Sequence, residues 1–424
     1  MHIPDGYLSP STCAAMFAAS TPFWYVASAR IKKTLSMRMV PLLSVFAAFS
    51  FIIMMFNLPL PGGTTGHATG AALAAIVLGP WAAVISVSIA LIIQAVFFGD
   101  GGILAIGANC FTIAIVGVFV AHYTNRIVAG NSAVDSSRRV IAAGIAGYLS
   151  INAAAFATAV LFGIQPMYFT DSNGAPLYAP YPLDIAIPAM MIGHLGIAGF
   201  AELIVTAGVI GYLQKNDISL LSIAQTGVPA ATNAAVSSGW QGARRMWLVI
   251  ATLLVLTPLG LIAAGTAWGE WGAEELVELD GGQTITAAPT GLLQYAAIWE
   301  APVPDYAVSF ISSEQLGYIL SGVMGVGLII LTMLVSTYIA ARFTRRNEHS
   351  NPYSNQHARR RITTRDVCTI RPVCYRGVPA WAVRHITASA VAISYNGPSM
   401  RSPKLSSARS TPNSSPREAG FCND

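Results

Sequence analysis

Long apolar runs separated by short polar joints leave this chain few folds to choose from. Candidate spans fall near residues 12–29, 40–56, 66–79, 81–98, 103–122, 140–163, 184–213, 246–264 and 315–341. Hydrocarbon demands that every backbone N–H and C=O be satisfied inside the segment, and these runs lack the alternation of barrel strands, so the predicted fold is an all-α, polytopic membrane helical bundle. We read about seven spans followed by a two-span C-terminal part. The run at 66–79 is short, and is expected to be tilted or only partly embedded. Composition agrees: 54% hydrophobic and 10% charged residues, with a mean hydropathy of +0.56, lie outside the range of a soluble domain of this length.

Charge then orients the bundle. With the N-terminus extracytoplasmic, Arg30, Lys32, Lys33, Arg38, Arg126, Arg138, Arg139, Lys215, Arg244, Arg245, Arg342, Arg345 and Arg346 all fall on the cytoplasmic side. The opposite segments are 57–65, the turn near Asp100, 164–183 and 265–314. None carries Lys or Arg, and the last holds Glu270, Glu274, Glu275, Glu278, Asp280, Glu300 and Asp305. This bias predicts the orientation and explains a pI near 9.0 without a nucleic-acid partner. Positive charges follow the first apolar run rather than precede it, so the opening residues read as part of the mature protein and not as a signal peptide. The five cysteines, Cys13, Cys110, Cys368, Cys374 and Cys422, are scattered and imply neither a disulfide framework nor a thiolate metal site. Residues 1–213 read as one membrane block, and 214–245 as a polar cytoplasmic linker. Residues 246–346 read as two spans bracketing the acidic segment, and 347–424 as a disordered basic tail without an assigned role.

The segment ahead of the first span, MHIPDGYLSP, begins with the pieces of a chelate. The free α-amine, the backbone nitrogen of His2 and the Nδ1 of its imidazole can close two fused rings around one cation. A fourth nitrogen would complete a square-planar set, which suits Ni(II) and Cu(II) and is accessible to Co(II), whereas zinc prefers a tetrahedron and magnesium prefers oxygen. The scheme requires that Met1 stays on and unacetylated, which a bulky second residue favours. Pro4 fixes its own φ and restricts Ile3, while Asp5-Gly6 is turn chemistry that folds the tip back toward the protein. For the fourth donor, PLPGGTTGHATG at 59–70 offers His67 on the same side, among glycines that permit close backbone approach. A histidine at a membrane boundary is more often a hydrogen-bonded structural residue. Pairing with His2 on one face is what singles His67 out.

Other polar groups read as support. His194 and Glu202, in MMIGHLGIAGFAELIVTAG, fall within about 80° of each other on an ideal helix and are expected to satisfy one another inside the bundle. On a bound metal the same pair would be the core of an intramembrane hydrolase, but no HExxH motif accompanies it. Asp100, in FFGDGGILAIGAN, is expected to cap or turn its hairpin, and Asn109 to bond across helices. Asp5, Asp100, Asn109, His194 and Glu202 are thus candidates for support rather than ligation.

Together MHIPDGYLSP, GGTTGHATG, QAVFFGDGGILAIGAN and HLGIAGFAE resemble the CbiM/NikM family, the substrate-binding membrane components of energy-coupling-factor (ECF) cobalt and nickel transporters. The resemblance covers residues 1 to about 213. It implies metal binding by the amine of Met1, the amide and imidazole nitrogens of His2, and His67. The remaining spans, with WEAPVPDYAVSF before LGYILSGVMGVGLII, resemble the small N component of such systems, fused here in one polypeptide. The family implies high-affinity, ATP-dependent import of Ni(II) or Co(II) across a bacterial or archaeal plasma membrane, with cobalamin biosynthesis among the uses. Its partners would be ECF ATPase subunits and a membrane coupling (T/Q) component, with membrane lipid around the spans and no organic cofactor. The chain has no GxxxxGK[ST] phosphate loop, so it is expected to be a transporter subunit and neither the ATPase nor an enzyme. A stand-alone divalent-metal permease driven by the ion gradient is the alternative, and would take up metal without an ATPase. Nitrogen donors do not choose between nickel and cobalt, because affinities rise from cobalt through nickel to copper at most sites.

Overall fold

The computed structural model describes residues 1–34, 39–61, 64–221, 235–263, 265–272, 275–276 and 287–350. The predicted tail beyond Ser350, residues 222–234 of the predicted linker, and Glu274, Glu278 and Asp280 of the acidic segment lie outside them. In chain order the elements are α1 (Pro10–Thr34), α2 (Met39–Met54), a hairpin of β1 (Leu58–Leu60) and β2 (Thr64–Gly66), α3 (Ala71–Leu78) and α4 (Pro80–Ile93). Next come α5 (Ile106–Asn109), α6 (Val118–Ala129), α7 (Ser137–Gly163), α8 (Gln165–Tyr168), α9 (Leu183–Gly193) and α10 (Gly199–Asn216). The C-terminal part adds α11 (Ala235–Leu256), α12 (Thr290–Ala296) and α13 (Glu314–Ser350).

This is the multi-pass helical membrane protein that the apolar runs predict. Among the described residues, five stretches are long and apolar enough to cross a membrane: Pro80–Phe98, Ile106–Ala129, Ser137–Tyr168, Leu183–Asn216 and Glu314–Ile339. Val40–Met54 and Met246–Ile262 are shorter apolar helices. Helix α1 has the length, at 25 residues, but not the hydropathy. Its start is set locally, by Pro10 at the first position and by Ser9, whose Oγ accepts from the Thr12 N–H at 3.1 Å.

The predicted span at 66–79 is not a crossing helix. Its helical part is α3, eight residues long, or about 12 Å against the roughly 30 Å of a hydrocarbon core. The reason lies in what precedes it. Gly66 ends β2, residues 67–70 are non-helical, and the N–H groups that would extend the helix backward are taken by a side chain instead. Glu202 Oε2 on α10 accepts from Thr69 N at 2.6 Å and Gly70 N at 3.2 Å, placing a carboxylate at the positive end of α3. The alanines of α3 then let α2, α4, α6, α7 and α10 close around it, and all its residues except Ile76 are buried.

That use of Glu202 overturns the expected His194–Glu202 pair. Between α9 and α10 the helix widens over His194–Ala198, and Gly196 leaves helical geometry at φ −88°, ψ −119°. An ideal 3.6-residue projection therefore fails here. His194 Nδ1 donates to Met190 O at 2.8 Å, and Glu202 faces α3.

In the C-terminal part, α11 packs on α2, and so does α13. The Tyr318 hydroxyl of α13 donates to Met55 O at 2.8 Å, and Gly325 lies against Phe51. The segment between these two helices runs beside the hairpin: Thr65 forms a parallel bridge with Ala267, and Thr64 Oγ1 donates to Thr266 O at 2.9 Å.

Glu202→Leu leaves two buried N–H groups unpaired and is expected to lower unfolding stability by roughly 2–6 kcal/mol, whereas Glu202→Gln keeps an acceptor oxygen and costs much less. Thermal unfolding of the detergent-solubilised protein reads the difference.

Candidate metal site

The first nine residues do not hang from α1. They cross the end of the bundle and are held along their whole length. Ile3 N donates to Asn109 Oδ1 at 2.8 Å, Asn109 Nδ2 donates back to Ile3 O at 3.1 Å, and Gly102 N donates to the same carbonyl at 2.8 Å. Asp5, at the turn, accepts from the N–H groups of Ile103 at 2.9 Å and Leu104 at 2.8 Å. Burial raises the Asp5 carboxyl above its usual range, and these backbone donors oppose the shift. Further on, the Tyr7 hydroxyl donates to Trp271 O and Ser9 N donates to Gln165 Oε1.

Two glycines make this docking possible. Gly101 sits at φ +88°, a conformation that an L side chain rarely adopts, and turns the chain out of the helix ahead of it. At Gly102 a Cβ atom would collide with the Asp5 backbone and carboxylate. Asn109 thus binds the N-terminal segment rather than a neighbouring helix, which corrects the expectation above: a carboxamide matches the backbone donor and acceptor of one extended residue.

Met1, His2 and Ile3 are buried, and His2 reaches a cavity of about 200 Å³ that His67, Asp100, Glu270 and Tyr306 also line. The Met1 amine and His2 N both donate to Glu270 Oε1, the second at 2.7 Å. His2 Nδ1 pairs with Asp100 Oδ1. Asp100 Oδ2 accepts from the Tyr306 hydroxyl at 2.6 Å and from Gln94 Nε2 at 3.1 Å. Asp100 sits in the turn, but its side chain does not cap it. Instead the helix widens at Gln94–Phe98 and ends on Gly99 at φ +71°, which carries the Asp100 carboxylate inward. Burial pushes the Asp100 carboxyl up, but the His2 imidazole outweighs it and holds the group well below the usual carboxylate range.

The His67 ring lies 4.9 Å from that of His2, centroid to centroid. Its Nδ1 is 3.1 Å from Ala68 O, an arrangement that puts the proton on Nδ1 and the lone pair on Nε2. Nε2 is buried and makes no hydrogen bond among the described residues. Burial, then the neighbouring His2 and Met1 amine, push the His67 pKa well below its ordinary value, so the ring stays neutral. Three nitrogens thus face two carboxylates, with a fourth nitrogen unpartnered beside them. Among the described residues, His2, Asp100 and Glu270 offer ligand atoms that all lie within 4.8 Å of one another.

Met1, His2 and His67 are brought together, Asp5, Asp100 and Asn109 surround them, and Glu202 touches the His67 loop from below. His194 bonds within its own helix and joins none of these contacts. Sequence reasoning missed Glu270, Tyr306 and Gln94. Glu270 stood in the acidic segment that was used only for orientation, and Gln94 was a polar residue within an apolar run, a signal in its own right. Tyr306 follows Asp305, and both adopt left-handed φ, at 51° and 59°, a strained pair of residues that turns the phenol onto Phe98 at 4.8 Å.

Residues 2–220 match the family model CbiM, described as a cobalt uptake substrate-specific transmembrane region, and residues 243–342 match the PDGLE domain. The chain is similar to the fused nickel transport protein NikMN of Rhodobacter capsulatus, with 51% identity covering 82% of this chain and 99% of that one. It is also similar to the probable fused nickel transport protein LarMN of Lactiplantibacillus plantarum, at 39% identity over 78% and 96%. A crystal structure of a truncated transition metal transporter is 51% identical over 51% of this chain and 99% of that one, with a TM-score of 0.48.

Gly102→Ala should push Asp5 and the tip off their seat. Amide hydrogen exchange in residues 1–9 is expected to quicken by about tenfold or more, while the helices keep their protection.

Proposed function

The chain belongs to the CbiM family, fused to a PDGLE domain, and from that premise we propose that it is the substrate-binding component of an ATP-driven importer of Ni(II) or Co(II). Residues 1–213 bind the ion, 214–245 link, and 246–346 act as the small N-type partner within the same polypeptide. The N-terminus and the cavity face the outside of the plasma membrane, where the K/R bias puts them. ATP hydrolysis takes place on separate ECF subunits, which move this bundle through a membrane coupling component.

The observation that carries the reading is that Met1 N, His2 N and His2 Nδ1 meet the Glu270 and Asp100 carboxylates beside His67, whose Nε2 is unpartnered among the described residues. No thiolate stands there among the described residues, and four nitrogens suit a planar Ni(II) or Co(II) site. The fused nickel transport proteins among its relatives favour nickel as the cargo. Seating the ion replaces the protons that these nitrogens now share with Glu270 and Asp100. Asp100 and Asn109 then serve as support, one orienting the His2 ring and the other holding the backbone beside it.

Calorimetric titration with Ni(II) tests this. Extending the N-terminus by one residue is expected to weaken binding by more than about 100-fold, equivalent to roughly 3 kcal/mol, and the same extension at the C-terminus to leave it unchanged. Equal affinity for both would exclude the amine as a ligand.

Acidity gives a second test. Asp100, held below its usual range, stays anionic between about pH 6 and 8, and His67, held below its own, stays neutral. The remaining pH dependence comes from the protons that the ion displaces from its nitrogen donors. Affinity should therefore fall as pH drops, by about tenfold per unit for each proton released. A flat profile across that window would contradict the chelate.

A further inference from the structure

We infer that Glu270 is a transit ligand: together with Asp100 and the His2 imidazole it takes the incoming hydrated cation at the mouth of the cavity and hands it to the nitrogens behind. This rests on the metal-binding reading above and adds to it a separate oxygen-rich station, supplied by the C-terminal part.

The geometry has three parts. First, exposure falls along the path. The Glu270 and Asp100 side chains are 20% and 18% exposed, whereas Met1 and His2 are 1% and 2% exposed, so an ion coming from solvent meets the carboxylates first. Second, one ligand atom each from Glu270, Asp100 and His2 fits within 4.8 Å, close enough for all to touch one cation. Third, the same cavity is lined by His67, a side chain only 5% exposed whose Nε2 makes no hydrogen bond among the described residues.

The chemistry supports the order. A hydrated divalent ion exchanges water for the carboxylate oxygens without deprotonating them and takes His2 Nδ1 for the one proton now shared with Asp100, which leaves to solvent, whereas the amine and amide nitrogens must still lose theirs. Glu270 Oε1 already contacts the hydrogens on both of those nitrogens. An ion held by Glu270 therefore sits next to the donors it will finally occupy. Transfer breaks the bonds to Glu270 and Asp100 and forms those to Met1 N, His2 N and His67 Nε2, with the displaced protons leaving to solvent. The station is fixed in place from both sides, by the Thr65–Ala267 bridge before Glu270 and by the Tyr7 hydroxyl on Trp271 O after it.

Stopped-flow mixing of the full chain, its N-terminus free, with Ni(II) tests the inference through rates. Glu270→Gln keeps the size and an acceptor oxygen. It is expected to slow association by about tenfold or more while dissociation stays within about twofold. Glu300→Gln removes the same charge from an exposed position of the same segment, outside the cavity, and should leave both rates unchanged, which separates a local ligand from general steering. Mn(II), which prefers oxygen donors, should slow Ni(II) association in the unsubstituted chain and not in Glu270→Gln, an outcome that a misfolded variant would not give. Unchanged association in Glu270→Gln, slowing equal to that of Glu300→Gln, or faster loading would overturn the inference while leaving the four-nitrogen site intact. Failure of the unsubstituted chain to bind Ni(II) would overturn both readings.

Discussion

The clamping of the Ile3 backbone N–H and C=O by Asn109 and Gly102 is the interaction on which the rest of the cavity depends. A chain terminus is normally the least ordered part of a domain, since few contacts repay the entropy of fixing it. Here Asn109 satisfies the donor and acceptor of one residue, Gly102 adds a second donor to the carbonyl, and Asp5 captures two more backbone N–H groups. These bonds place His2 and the Met1 amine to within the reach of a side-chain contact. They also explain the second glycine of the DGG turn, since Asp5 occupies the space of a Gly102 side chain, whereas Gly101 is held by its positive φ and by Asn109 beside it.

Helix irregularity does the positioning. Three segments near or below the cavity widen beyond regular α geometry, at Gln94–Phe98, Cys110–Gly117 and His194–Ala198. Such turns are rare, cost hydrogen-bond quality and recur at functional sites. The first aims Asp100, the second follows Asn109, and the third lets α10 bring Glu202 under the His67 loop. Short α3 belongs to the same scheme, because a full crossing helix from residue 66 would place His67 within a regular helical turn instead of leaving its loop to be held by Glu202.

Much of this was legible in the residues. Apolar runs dictate a helical membrane bundle whatever its detail, and the Met-His opening announces a chelate because its donors are adjacent in sequence. His67 was legible only by pairing it with His2. What could not be read were contacts between distant segments. Glu270 meets His2 across 268 residues, and no local pattern encodes that. His194 and Glu202 failed for a different reason: regular periodicity was assumed where glycines let the helix depart from it. Asp100 and Asn109 were assigned the commonest local roles of their residue types, and a docked terminus made other partners available.

Anomalous diffraction at the nickel edge from crystals of the Ni(II)-loaded chain locates the bound ion among its donors. One peak is expected in the cavity, within bonding distance of Met1 N, His2 N, His2 Nδ1 and His67 Nε2 and in their common plane, with Glu270 no longer touching the amine. A peak seated among carboxylates or thiolates, with the tip of the chain free in solvent, would contradict it.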